Sequence, residues 1–205
     1  MPNWTANKIT VVGKKNVSKF KKLLYDSDGV FTFNALITKP IFIELACCLW
    51  KGHLQPPQLP QKPKLTDAGF INPMDGYVDY HTSQYILGFC DEYTNDKADW
   101  YSWCIDNWGT KWDADSAEVL TDEACEFVIQ FDTAWDIPRP VIVELHKRGV
   151  EFEWKYAHEG CADSGAIYSE KDESGKLQFN TFESPDGDGR IYEELRGYDP
   201  YADEE

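Results

Sequence analysis

Asp106 and Asp113 are the residues whose type and spacing come closest to acid–base chemistry, because they flank a tryptophan-rich box, Trp108–Trp112. A pair of carboxylates can act as general acid and base when a histidine, a metal or a nucleophile works with it. The sequence places no partner histidine and no set of metal ligands beside this pair. We therefore interpret both aspartates as helix-end or loop charges, and we predict that the protein is not an enzyme and has no catalytic residue.

The other short motifs do not indicate a cofactor or a metal. The segment Gly187-Asp-Gly189 is too short for a phosphate-binding loop, and its acidic surroundings would repel phosphate. The four histidines show no ligand spacing with the cysteines, so we predict neither a metal nor a cofactor. The six cysteines include no CxxC pair, which is typical of reduced thiols in a cytoplasm. They are residues 47, 48, 90, 104, 125 and 161.

A helix should position the tryptophan-rich box. Apolar residues from Tyr101 to Trp108 recur at the spacing of one helical stripe, which predicts a helix over residues 99–108. Gly109 is suited to a left-handed helix end, and an acidic loop should follow Trp112. Large aromatic side chains mostly serve packing, so we interpret the box as structural.

The first part of the chain predicts a β-α-β unit. Residues Lys8–Gly13 have the pattern of a strand, and Asn16 can cap a helix that runs to about Tyr25. A second strand is expected over residues 30–37. The outward lysines of the helix indicate a solvated face, with a basic docking patch as the alternative.

The second part repeats this order. Alternation predicts a strand over residues 125–131, and Asp136 can cap a helix that Gly149 closes. A strand over residues 151–156 and a hairpin of residues 164–170 and 176–182 should follow. The order β-α-β, insertion, β-α-β with extra strands predicts an α+β fold, a ferredoxin-like sandwich.

The domain prediction follows from these elements. Residues 1–182 should form the ferredoxin-like domain, with an insertion at about residues 51–95. Ahead of the insertion, residues 41–50 could form a short helix. Within the insertion, the proline-rich segment 55–63 is typical of a stiff connector, with a ligand for an aromatic groove on a partner as the alternative. Residues 183–205 should form an acidic C-terminal extension. Its aromatic and aliphatic residues would anchor it to the domain or to a partner; these are Ile191, Tyr192, Leu195, Tyr198 and Tyr201.

Charge is distributed unevenly along the chain. The formal net charge is −16, yet residues 1–50 carry seven Lys/Arg against three Asp/Glu. Residues 151–205 carry five Lys/Arg against 16 Asp/Glu. Binding to a duplex backbone usually requires the opposite balance, so we expect no direct duplex DNA binding. An acidic protein suits basic partners, and it also gains solubility from its charge. No apolar run approaches the roughly 18 residues needed to cross a bilayer, so we expect no membrane association.

Several motifs together resemble the Api92-like (YubB-like) ferredoxin-like family of phages and conjugative plasmids. The resemblance covers roughly residues 1–50 and 95–170. Thr5 departs from the family pattern, which usually has cysteine there. The resemblance implies the fold and an origin on a mobile element, and it implies no catalytic activity. The matching motifs are Met1-Pro2-Asn3-Trp4 with Asn7, Phe31-Thr-Phe-Asn34, Trp103…Asn107-Trp108-Gly109-Thr110-Lys111-Trp112, Thr133-Ala-Trp135…Pro138 and Glu159-Gly160.

From resemblance and charge together we predict a mobile-element protein that inhibits a host protein. The target would be a defence complex with a basic nucleic-acid groove, of the CRISPR or restriction type, in the host cytoplasm. The alternative is a nucleic-acid-binding or nucleotide-signal-binding module on the ferredoxin-like sheet. The inhibitor would bind through the acidic C-terminal part. Its candidate partner-binding residues are Asp186, Asp188, Glu193, Glu194, Asp199 and Asp203.

Overall fold

A computed structural model describes residues 3–40, 43, 100–159, 163–183 and 189–198 of the chain. The chain divides into two compact units, Met1–Thr38 with Cys104–Glu205, and Lys39–Trp103. In the second unit Ile43 is buried, and the rings of Trp100 and Tyr101 meet edge to face 6.1 Å apart. The proline-rich segment and the predicted insertion at 51–95 lie outside the described residues, as does the predicted helix 41–50 except for Ile43.

Six strands of the first unit form one antiparallel sheet. Their order across the sheet is β2-β3-β1-β4-β5-β6. With α1 after β1 and α3 between β3 and β4, the first four strands have the β-α-β-β-α-β order of a ferredoxin-like fold, and β5 and β6 extend the sheet beside β4. The predicted α+β, ferredoxin-like fold with extra strands is confirmed. The strands are β1 (Trp4–Val12), β2 (Asp115–Asp122), β3 (Glu126–Ala134), β4 (Phe152–His158), β5 (Ser164–Lys171) and β6 (Leu177–Glu183). The helices among the described residues are α1 (Lys14–Leu24), α2 (Trp100–Trp108), α3 (Arg139–Lys147) and α4 (Arg190–Arg196).

The apolar core lies between one face of the sheet and the helices α1 and α3. Phe20 of α1 is fully buried, and its ring lies 5.6 Å from that of Phe127 on β3. Phe131 and Trp154 continue this layer, with their rings 5.6 Å apart. The helical stripe of α3 is buried as predicted; it consists of Val141, Ile142 and Leu145.

Residues 30–37 do not form the predicted strand, and that prediction was wrong. The structure has a single bridge between Tyr25 and Phe31, followed by a 3-10 helix, Phe33–Ala35. Asp113 holds this segment in place of a sheet neighbour, because its carboxylate accepts hydrogen bonds from the Thr32 hydroxyl and from the Phe33 N–H at 2.7 Å. The edge of the sheet is instead formed by β2, in a stretch that we expected to be an acidic loop.

The predicted helix caps also differ from the structure. α1 begins after Gly13 rather than at Asn16, whose side chain accepts a hydrogen bond from the Glu151 N–H at 3.0 Å. α3 begins after Pro138, and Asp136 accepts from the neighbouring Ile137 N–H at 2.7 Å. Asn16 therefore ties α1 to the segment before β4, the Asp136 bond stays within its own loop, and neither side chain caps a helix.

The first half of the tryptophan-rich box is structural, as predicted. Trp108 is 3% exposed and donates a hydrogen bond from Nε1 to the Ile37 carbonyl at 2.9 Å. Gly109 ends α2 with φ of 81°, and a Cβ there would lie 2.7 Å from Cδ of Pro140. Thr110 is fully buried, and its hydroxyl bonds to the Ala134 carbonyl at 3.2 Å. These three residues join α2 to the corner after β3.

Asn7 forms a polar centre inside the core. It is fully buried, and its amide donates to the Thr5 carbonyl at 2.8 Å and to the Thr133 hydroxyl at 2.9 Å. Its carbonyl oxygen accepts from Nε1 of Trp154 at 3.0 Å. Because a buried polar group is costly when unpaired, this set of bonds fixes the pairing of β1 with β3 and β4.

The C-terminal helix α4 is anchored to the domain. Tyr192 and Leu195 are buried against Ala6 and Ala157 of the sheet. The predicted anchoring is therefore confirmed for these two residues. Tyr198 is largely exposed, although its hydroxyl lies 2.8 Å from that of Tyr192; Tyr201 lies outside the described residues.

Candidate functional site

The face of the sheet opposite α1 and α3 carries mainly acidic side chains. Strand residues alternate between the two faces of a sheet. Lys8 pairs across the strands with Gln130 and Lys155 on this second face, away from the core. Among the described residues, α4 packs on this face against Ala6 and Ala157 and contacts β1, β4 and β5. We call this side of the sheet the acidic face. Its strand carboxylates are Asp115, Glu118, Glu126, Asp132, Glu153 and Glu170.

One glutamate of α4 pairs with both lysines of the acidic face. Lys8 Nζ lies 2.7 Å from Glu194 Oε1, and Lys155 Nζ lies 2.8 Å from Glu194 Oε2. Burial alone would raise the pKa of Glu194, but hydrogen bonds and charge from Lys155 and Lys8 outweigh burial, so this pKa lies below its ordinary value. Lys155 Nζ also lies 3.9 Å from Glu153 Oε2. The two lysines therefore offset the charge of Glu194 and part of that of Glu153, and the six strand carboxylates still outnumber them.

The structure places only two of the six predicted partner-binding residues. Glu193 lies exposed in the first turn of α4, and Glu194 beside it forms the ion pairs with Lys8 and Lys155. Glu194 therefore holds α4 on the sheet. The other four predicted residues lie outside the described residues; they are Asp186, Asp188, Asp199 and Asp203.

A cleft opens at one end of the acidic face, between Trp4 and Trp112. The two ring centroids are 5.8 Å apart, with the ring planes inclined by 36°. The cleft has a volume of about 380 Å³, and Asp113, Ala114 and Asp115 complete its lining. We call it the Trp4–Trp112 cleft. Trp112 is 37% exposed, so the prediction that the whole box is core was wrong at this residue.

The Trp4 wall of the cleft is held by hydrogen bonds to the Trp4 backbone. The Trp4 N–H donates to the Glu159 carboxylate at 2.8 Å, and the Trp4 carbonyl accepts from the Glu159 N–H at 2.9 Å. Arg196 of α4 also donates to this carbonyl. Beside the cleft, Lys111 Nζ lies 4.6 Å from the ring centroid of Trp112 and 5.2 Å from that of Trp135.

Two aspartates face each other across strands next to the cleft. Asp115 of β2 is the direct cross-strand partner of Asp132 of β3. Partial burial raises the pKa of Asp132 above its ordinary value, and the charges of Asp115 and Glu159 raise it further, against the opposing effect of Arg196. Like charges directly opposite each other destabilise a strand pair. This corner therefore brings the carboxylates of Asp115, Asp132 and Glu159 close together, and Arg196 offsets part of their repulsion.

The arrangement nearest to a nucleophile and base is Thr5 with His158. The Thr5 hydroxyl lies 2.8 Å from Nδ1 of His158, whose Nε2 is 3.6 Å from Asp136 and 3.8 Å from Asp163. Thr5 is fully buried, so a substrate cannot reach this hydroxyl. Within the described ranges no group of three or more His, Cys, Asp or Glu residues is placed to hold a metal ion. Asp113, considered above as a base, is occupied by its bonds to Thr32 and Phe33.

Sequence reasoning placed the acidic surface in the C-terminal part and missed the strand carboxylates. In β3, Glu126 and Gln130 alternate with apolar residues, and this pattern indicates a polar second face. The predicted strand ended at residue 131; a longer prediction would have placed Asp132 on the same face. No such signal exists for β2, because its residues are exposed throughout and its register shifts twice against β3. The cleft joins residues 108 positions apart, Trp4 and Trp112, which only the fold brings together. Within the part of the chain that the structure describes, no helix is long and apolar enough to cross a membrane.

Comparison with known proteins shows a family similarity over part of the chain. Residues 107–187 match the family model described as the ferredoxin-like domain in Api92-like protein. Among solved structures, the crystal structure of a protein api92 from Yersinia pseudotuberculosis is similar, at 11% sequence identity and a TM-score of 0.42, over 91% of this chain and 99% of that one. No curated protein matches the chain. Residues 107–187, which include β2 to β6 and the whole tryptophan-rich box, are thus similar to the ferredoxin-like domain in Api92-like protein.

Proposed function

We propose that this protein is a non-enzymatic inhibitor, carried by a phage or a plasmid, that binds a host defence protein through the acidic face. The target would be a CRISPR or restriction complex with a basic nucleic-acid groove. The observation that carries the proposal is the charge of the acidic face. Six strand carboxylates share it with two lysines, both of which pair with Glu194.

Electrostatics explains how such a face would find its target. A surface of one sign attracts an oppositely charged groove over distances of about a Debye length, roughly 8–10 Å at moderate salt. The attraction mainly raises the association rate, while lasting affinity needs desolvated contacts at the centre of the interface. The resemblance to a family of mobile elements supports a host defence protein as the target, because such elements gain from disabling host nucleases.

The alternative, a module that binds nucleic acid or a nucleotide signal on the sheet, is less well supported. A ferredoxin-like sheet that binds RNA stacks bases on exposed rings and attracts phosphate with basic side chains. The acidic face carries Tyr168, whose side chain lies beside Glu153, and phosphate approaching it would meet a surplus of carboxylates. Binding of single-stranded oligonucleotides, measured by fluorescence anisotropy, tests this alternative directly.

Phage plating tests the proposed function. The protein would be expressed in bacteria that carry one defined CRISPR or restriction system each, and the plating efficiency of a targeted phage would be measured. We expect protection of the phage by orders of magnitude against at least one system. An acidic-face variant with Glu118→Gln, Glu126→Gln and Glu170→Gln should lose most of this protection.

A matched variant controls for net charge. Asp28→Asn, Glu123→Gln and Glu173→Gln remove the same three charges from exposed loop positions outside the strands. This control should protect phage like the wild type. Equal protection by the two triple variants, or no protection against any system in the panel, would contradict the proposed function. Tight oligonucleotide binding by the wild type would favour the alternative.

A further inference from the structure

We infer that the Trp4–Trp112 cleft binds an arginine side chain of a partner protein. The inference deepens the proposed function and rests on its premise that the partner is a protein. The first support is the shape of the cleft. Its volume of about 380 Å³ falls within the range of about 300–1,000 Å³ typical of ligand sites, and two indole rings that contact each other form part of its lining. It has room for one long side chain rather than for a protein segment.

The carboxylates of the cleft favour a positively charged ligand group over a negatively charged one. Asp113 and Asp115 line it, and Asp132 lies directly across the strands from Asp115. An anion entering the cleft would meet these carboxylates. A cation would instead relieve the repulsion between Asp115 and Asp132, which Arg196 offsets in part. The occupant should therefore be positively charged.

The fixed cations nearby have other contacts. Arg196 donates to the Trp4 carbonyl and, at 3.2 Å, to the Ala157 carbonyl. Lys111 lies over the rings of Trp112 and Trp135. The position of Lys111 also indicates the chemistry of this corner, because its ammonium is held against an indole face. A second cation in the cleft, against the indole rings of its lining, would use the same attraction between a positive charge and an aromatic ring.

Arginine fits the combination of rings and carboxylates better than lysine does. The guanidinium group is planar, stacks on aromatic faces and donates hydrogen bonds in a fork that suits a carboxylate. It is also more weakly hydrated than an ammonium group, so it costs less to bring against the indole rings. Asp115 is the acceptor best placed for it, because its side chain bonds only to the N–H of Ser116 among the contacts of the described residues. Asp113 is engaged with Thr32 and Phe33.

Titration with short peptides tests the inference without a known partner. The probes are capped pentapeptides with glycine on both sides of a central arginine, lysine or citrulline. Binding would be followed by NMR through the indole Nε1–H signals of Trp4 and Trp112. We expect the arginine peptide to shift both signals saturably in the millimolar range. Citrulline has nearly the same shape without the charge, and it should bind about tenfold more weakly or not at all.

Two variants assign the binding to the cleft. Trp112→Ala and Asp115→Asn should each weaken arginine binding about tenfold, whereas Asp28→Asn, an exposed loop aspartate, should bind like the wild type. Asp115→Asn decides the matter if Trp112→Ala fails to fold. Equal binding of arginine and citrulline, shifts confined to other tryptophans, or equal binding by Asp115→Asn and Asp28→Asn would overturn the inference.

The outcomes for the cleft and for the proposed function are separable. Arginine binding in the cleft together with no phage protection would contradict the proposed function and leave the cleft site established. Phage protection that survives in Asp115→Asn, with no shift of the Trp4 and Trp112 signals by the arginine peptide, would overturn the cleft inference and leave the proposed function standing.

Discussion

Trp108 and Trp112 are four residues apart in the same motif, yet they have opposite environments. Trp108 is 3% exposed, bonds to the Ile37 carbonyl and meets the ring of Phe33 edge to face at 6.2 Å. Trp112 is 37% exposed and forms one wall of an open cleft with Trp4. Residue type and sequence proximity therefore do not decide whether an aromatic residue stabilises the fold or is available to a ligand.

Gly109 and Thr110, which lie between the two tryptophans, cause this difference in environment. Gly109 turns the chain with a positive φ, and Thr110 ties it to the Ala134 carbonyl. After this turn the chain leaves the core and reaches the acidic face, where Asp113 and Asp115 follow. The box thus has a buried half that fixes the domain and an exposed half that borders the candidate site.

The largest expected effect separates the two tryptophans directly. Trp108→Ala should lower the free energy of unfolding by about 3–5 kcal/mol, because it leaves a cavity and an unpaired carbonyl in the core. Trp112→Ala should lower it by less than about 1 kcal/mol, as is usual for exposed positions. Urea unfolding of both variants measures the difference. Similar losses in the two variants would contradict the division of the box.

Asn7 tests whether the buried half depends on polar contacts as well as on packing. Asn7→Ala should cost about 1–3 kcal/mol for each buried group left unpaired, and it leaves both Nε1 of Trp154 and the Thr133 hydroxyl without this partner. Urea unfolding measures the loss, with Asn34→Ala at a half-buried position as the comparison. A loss no larger than that of Asn34→Ala would show that water replaces the Asn7 amide without penalty.

Gly109 tests the turn between the two halves. Gly109→Ala should cost about 1–2 kcal/mol for the left-handed backbone alone, and the contact with Pro140 should add to this cost. Gly175→Ala is a suitable control, because it has the same φ of 81° and nothing within 4 Å of an added Cβ. Thermal unfolding should therefore show a greater loss for Gly109→Ala. Equal losses would mean that the chain shifts freely around Pro140.

The sequence predicted the domain better than the site, for a physical reason. Elements with one buried face leave a periodic pattern, which is why β3, α3 and β4 were found near their observed positions. β2 is exposed on both faces and leaves no such pattern. Residues 30–37 were therefore wrongly predicted to be the second strand, and β2 was missed. The cleft depends on the pairing of β1 with β3 and on a turn at Gly109. Neither feature leaves a sequence pattern that predicts the contact between Trp4 and Trp112.

The smallest expected effect on stability concerns Asp132, which lies beside the exposed half of the tryptophan-rich box. The pKa of Asp132 is raised in the folded protein, mainly by partial burial, so its ionised form is disfavoured there. This penalty is absent below the ordinary aspartate pKa and fully present above the raised one. Asp132→Asn should therefore stabilise the protein slightly at about pH 7, by less than about 1 kcal/mol because the site is half exposed. The gain should disappear at about pH 4 or below.

Glu194 gives the matched comparison with the opposite sign. Its pKa is lowered in the folded protein despite partial burial, because Lys155 and Lys8 donate to its carboxylate. Its contribution is therefore present above the ordinary glutamate pKa and is lost as the pH falls through the lowered value. Glu194→Gln should destabilise the protein slightly at neutral pH, and thermal unfolding of both variants across the acidic range measures the two trends. If Asp132→Asn destabilised the protein at neutral pH as Glu194→Gln does, the carboxylate of Asp132 would be a stabilising contact of the fold. The repulsion between carboxylates that should attract a cation to the Trp4–Trp112 cleft would then not exist.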